Sequence, residues 1–164
     1  MKRICLLICC CLILHMLCAC SGKTEELREP VNFYYCSHEV SYNTPNGVIR
    51  SECREGAVFY GNLTAFLHGY LLGPNSDELY SLIPSEVYLV SCESNGDEVS
   101  IVLSKQLEKL SGVDLSIACS ALLMTVHEYT GANTMIISAK DGKLDDKEQI
   151  SFSMDNIVLL DNSV

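Results

Sequence analysis

The apolar positions in the middle of the chain define three consecutive elements. Leu63, Phe66, Leu67, Tyr70 and Leu71 recur at the spacing of one helical face, with Asn62 placed to cap the start and Gly73-Pro74 to end it. Two β-favouring runs then flank Asn95-Gly96, a pair suited to a type I′ hairpin turn. Counting outward from that turn pairs Cys92 with Val99, Val90 with Ile101 and Tyr88 with Leu103, so that one face of the ribbon is apolar. On the other face Glu93 falls opposite Glu98, a like-charge pair that requires water. The third element, from about Asp114 to Tyr129, sets Leu115, Ala118, Cys119, Leu122, Val126 and Tyr129 on one side of a helix that Gly131 closes. Ile117, Ala121, Leu123 and Met124 broaden its apolar face. A ribbon with one dry face needs helices over it.

The flanking segments read as partners of this block. Val31 to Tyr42 predicts a strand, Asn43-Thr44-Pro45-Asn46-Gly47 a turn, and Val48 to Cys53 a return strand with Val40 opposite Ile49 and Cys36 near Cys53. Asn75 to Glu78 reads as a capped turn into a short helical piece carrying Leu79, Leu82 and Ile83, which Pro84 ends. Thr134 to Ala139 is a buried strand and Asp141-Gly142 a turn. Lys143 to Gln149 is a solvated charged stretch, and Ile150 to Leu160 is an edge strand or a segment draped over the core. The expectation is one α+β domain over residues 31–164, a mixed β-sheet with two main helices packed on one face.

The first 30 residues have a different character. Lys2-Arg3 and the apolar run from Ile4 to Leu17 have the charge and length of a secretory signal peptide, too short for a permanent span. Leu17-Cys18-Ala19-Cys20 then resembles the bacterial lipobox, in which cleavage leaves a cysteine that carries lipid at sulfur. Residues 1–19 are thus expected to be removed as a lipoprotein signal peptide. A diacylglyceryl group on Cys20 would bury two acyl chains, enough for stable anchoring. Residues 20–30 form a polar tether, of which Ser21 to Pro30 reaches at most about 33 Å when fully extended. This places the body at the cell membrane, on its extracytoplasmic face.

Charge narrows the partners. The 164-residue chain carries 11 basic and 21 acidic side chains; loss of Lys2 and Arg3 leaves nine against 21, a formal net charge of −12. Nucleic acid is not an expected partner, because binding it depends on neutralising phosphates with basic side chains.

Of ten cysteines, Cys5, Cys9, Cys10, Cys11 and Cys18 leave with the signal and Cys20 takes lipid. Cys36, Cys53, Cys92 and Cys119 remain, and four thiols outside the cytoplasm permit three pairings. Cys36 with Cys53 is a candidate disulfide, the alternative being one unpaired thiol on each strand. Cys92 and Cys119 both fall on apolar faces and either meet in the core or stay buried and unpaired.

The sequence carries no recognisable catalytic constellation. There is no Gly-x-Ser-x-Gly, and Cys119 stands eight residues from His127 on one helix, out of hydrogen-bonding reach. Cys36-Ser37-His38 with Cys53 offers three metal-ligand types but no fourth, and His127-Glu128 lacks the second histidine of a zincin. His68 reads as a polar helix residue. Asp141, Asp145, Asp146 and Glu148 do not have the alternating spacing of a calcium loop. Asn62-Leu63-Thr64 is formally a glycosylation sequon, but Asn62 reads better as a helix cap. No enzyme, metal or cofactor is expected.

Several of these pieces together resemble a known family. Phe66-Leu67, Leu71-Leu72-Gly73-Pro74, Leu79, Ile83-Pro84, the hairpin ending in Val102-Leu103-Ser104, Leu122-Leu123-Met124-Thr125-Val126 and Tyr129-Thr130-Gly131-Ala132 resemble the GerMN domain of sporulation and spore-germination lipoproteins. The resemblance covers about Val31 to Lys143. It departs from the pattern at Ser85-Glu86, where a glycine usually follows the proline, at Met124-Thr125-Val126, where threonine-leucine is commoner, and in its four mature cysteines. It implies an α+β fold akin to ring-building modules of secretion and sporulation channels. It also implies a non-enzymatic role in assembly or envelope remodelling, with envelope or spore-assembly proteins as partners. The alternative is a ligand-binding lipoprotein that serves a transporter or senses wall fragments.

Overall fold

The structure, a computed structural model, describes residues 30–39, 47–56, 59 and 61–157. The expected signal peptide, the tether and Cys20 lie outside the described residues, as does Val40. The α+β class is as expected, but the strands divide between two sheets. β1 (Val31–Ser37) is flanked by β2 (Ile49–Arg54) and the two-residue β3 (Leu79–Tyr80), all antiparallel. The second sheet runs β4 (Leu89–Asn95), β5 (Glu98–Leu103), β6 (Thr134–Ala139), β7 (Gln149–Ser153). β5 and β6 are parallel, which requires a crossover, and the chain makes it through α2 (Gly112–Thr130).

Both helices begin and end where local chemistry dictates. In α1 (Leu63–Leu71) the Asn62 side chain accepts the Ala65 N–H at 2.9 Å, and Gly73 follows at φ +86. α2 closes at Gly131, in the left-handed conformation that relieves the last turn. Its buried residues, Leu115, Ala118, Cys119, Ala121, Leu122, Leu123, Thr125 and Val126, go well beyond a single stripe. The breadth follows from its position, since α2 packs against β1 of one sheet and against β6 and β7 of the other. α1 packs on β4. The core is one cluster running from Phe33 and Tyr35 through Phe66 and Tyr70 to Val99, Ile101, Met135 and Ile137.

Three expectations are corrected. The hairpin loop is Gly96-Asp97, not Asn95-Gly96: Asn95 pairs with Glu98, Glu93 with Ser100 and Cys92 with Ile101. Gly96 takes φ +62 and Asp97 is not among the positive-φ residues, as in a II′ turn rather than a I′ turn. The expected clash of Glu93 with Glu98 is thereby avoided. Second, the ladder slips between Leu89 and Ser91, so Val90 is the extra residue of a β-bulge. The bulge inverts the alternation, burying Leu89 and Val87 and leaving Val90 38% and Tyr88 58% exposed. Ile101, Val99 and Leu103 are buried as expected and Cys92 stays half-buried against the core, but Leu89 and Val87 take the inward places expected for Val90 and Tyr88. Third, Leu79-Tyr80 is a strand on the edge of β1, not a helical piece, although Leu79 and Ile83 are buried.

Candidate functional site

β2 places Glu52 and Arg54 on one side, where strand alternation aims both at the end of α1. Arg54 donates through Nη1 to the Gly69 carbonyl at 2.8 Å and through Nη2 to the Gly73 carbonyl at 2.6 Å and the Tyr35 hydroxyl at 3.2 Å. Its guanidinium carbon lies 4.3 Å from the centre of the Phe33 ring, and it is ion-paired with Glu52. The Glu52 carboxylate also accepts the N–H groups of Asn75 and Ser76 at 2.9 and 3.0 Å. Burial would raise the Glu52 pKa, but the Asn75 and Ser76 N–H groups and Arg54 outweigh it and hold the carboxyl below its ordinary range. The cluster answers the unpaired carbonyls that any helix end leaves and pins the following loop. Its donors and acceptors are engaged with the protein itself, so its role is positional.

Other long-range ties fix α2 and the hairpin tip. The Tyr34 N–H donates to Thr125 Oγ1 at 2.9 Å, and Asn32 Nδ2 to Glu128 Oε1 at 3.0 Å. The Asp97 carbonyl accepts from the N–H groups of Asn133 and Thr134, and Asp97 Oδ1 accepts from Asn133 Nδ2 at 2.8 Å. Asp145 accepts the Gly112 N–H at 3.1 Å, covering the first turn of α2. The stretch from Lys143 is exposed as expected except for Leu144, which is fully buried. Among the described residues no group of three or more His, Cys, Asp or Glu side chains is arranged to hold a metal ion. His38 stacks on Tyr80 at 4.7 Å, His68 is exposed, and His127 Nδ1 lies 3.1 Å from the Ala132 carbonyl oxygen.

The cysteines are separate. Cys36 stands opposite Ile49, while Cys53 stands opposite Asn32, four residues further along the ladder. That offset is about 13 Å of strand, and a disulfide needs Cα atoms within about 7 Å. The candidate bridge between Cys36 and Cys53 is therefore not formed. The expected register needs a strand that continues to Tyr42, whereas β1 stops at Ser37. All four described cysteines are free. Burial pushes the Cys36 thiol up to about 11 and the Cys119 thiol up to about 12, leaving both protonated and unreactive at neutral pH. Cys53 is exposed, and Cys92 is half-buried with Sγ 3.4 Å from Thr64 Oγ1.

Two surface features remain. Strands β5 and β6 turn Val99, Ile101, Leu103, Met135 and Ile137 inward, so Ser100, Val102, Ile136 and Ser138 form a half-exposed outer face. At one end of that face a wide, shallow depression of about 680 Å³ is lined by Val102, Ser138, Lys140, Lys143, Glu108 and Glu148 among others. No described helix is long and apolar enough to cross a membrane.

The architecture is thus an α+β module in which one long helix joins two sheets. No protein-family model and no curated protein matches the chain. Solved structures do match. A Clostridium perfringens protein described as a lipoprotein aligns with a TM-score of 0.50 at 15% identity, over 77% of this chain and 89% of that one. The tandem GerMN domains of the sporulation protein GerM from Bacillus subtilis align with a TM-score of 0.54 at 14% identity, over 79% of this chain and 47% of that one. The chain therefore spans about half the length of the tandem pair. At these identities the likeness is one of fold, and it is the fold that the motifs from Phe66 to Ala132 resemble.

Proposed function

We propose that the chain is a non-enzymatic, lipid-anchored module of the cell envelope that acts through protein contacts in sporulation or spore germination. The observation that carries this reading is the structural likeness to tandem GerMN domains of a sporulation protein. The lipobox at Leu17 to Cys20 and the likeness to a Clostridium perfringens chain described as a lipoprotein support the location. The buried, protonated Cys36 and Cys119 and the fully engaged Glu52 and Arg54 are poor catalytic candidates, which favours a binding role. Small ligands are usually held in deep, mostly apolar pockets. The wide, charged depression beside β6 fits a protein contact better.

Crosslinking the full chain in native membranes, with mass-spectrometric identification of what is captured, tests the proposal. Spore-assembly or wall-remodelling proteins are the expected partners; reproducible capture of a permease complex in their place would favour ligand delivery.

A further inference from the structure

We draw no further inference here: the strongest candidate, the outer face of the four-stranded sheet around Ser100, Val102, Ile136 and Ser138, is a half-exposed surface, and nothing in the structure shows what covers it.

Discussion

The hydroxyl of Thr125 on α2 accepts a hydrogen bond from the backbone N–H of Tyr34 on β1 at 2.9 Å, joining positions 91 residues apart. The same hydroxyl donates to the Ala121 carbonyl at 2.9 Å, so its proton is directed into the helix and a lone pair is left for the strand. Among the described residues β1 pairs over this stretch with β2 on one side only, because β3 meets it at Cys36 and Ser37. The helix closes the remaining edge. Thr125→Val keeps the shape and removes the acceptor, leaving the Tyr34 N–H unsatisfied. A loss of about 1–3 kcal/mol is expected in urea unfolding, with Thr125→Ser nearer wild type. A Val variant as stable as wild type would show that the bond contributes nothing.

The cluster around Arg54 makes a second prediction. Lysine cannot reproduce a guanidinium that serves two helix-end carbonyls, the Tyr35 hydroxyl and Glu52 together. Arg54→Lys keeps the charge beside Glu52 but leaves acceptors of the fork unpaired, and should lower stability by roughly 1–3 kcal/mol, the cost of unsatisfied buried hydrogen-bonding groups. Glu52 adds a pH signature. Its folded-state pKa is depressed, so its contribution is complete above the ordinary carboxylate pKa and is lost as pH falls through the lower folded value. Thermal melts of Glu52→Gln should start lower than wild type at pH 7 and fall less steeply below about pH 4.5. Parallel acid limbs for the two proteins would refute this assignment.

Titration of the buried thiols has the opposite sense. The fold holds protons on Cys36 and Cys119 up to about 11 and about 12, against an ordinary value of 9.0. The folded state binds more protons than the unfolded chain across that interval, so stability should decline as pH rises from 9. At pH 8 under reducing conditions Cys53 should be alkylated first and Cys119 only after denaturation. Peptide mass spectrometry reads this directly, and labelling of native Cys119 at the rate of Cys53 would contradict the packing.

Asp97 ties the tip of the hairpin to the start of β6. Replacing it with alanine should cost about 1 kcal/mol, the value of an ordinary hydrogen bond. Thr134 is held by the Asp97 main-chain carbonyl, which alanine keeps, so the loss should localise as faster amide exchange at Asn133, whose N–H also reaches Asp97 Oδ1 at 3.1 Å. Unchanged exchange there would remove Asp97 as the element that sets the hairpin register.

What could be read from the residues alone was what depends on local chemistry. Asn62, Gly73 and Gly131 mark helix ends because capping is decided within a turn, and Thr134 to Ala139 is a strand because its apolar run fits no other element. The GerMN resemblance likewise rests on short motifs in order, and the fold agrees with it. The structure departs from the expected pattern where two local solutions are equally good. Asn95-Gly96 and Gly96-Asp97 both make two-residue turns, and the tie from Asp97 to Asn133 favours the second. Val87-Tyr88-Leu89-Val90 favours strand in either phase, so a bulge at Val90 leaves no trace in the pattern. Glu52 and Arg54 look like surface charges on an edge strand; only their i, i+2 spacing beside a helix-ending Gly73-Pro74 hints at a shared task.

The central claim is that this folded body works at the membrane surface, held by lipid on Cys20. Metabolic labelling of the full chain with an alkyne fatty acid, followed by fractionation, tests it most directly. The account predicts label on the membrane-bound wild-type protein and none on Cys20→Ser. A wild-type protein without acyl label, or label that persists after Cys20 is replaced, would contradict it.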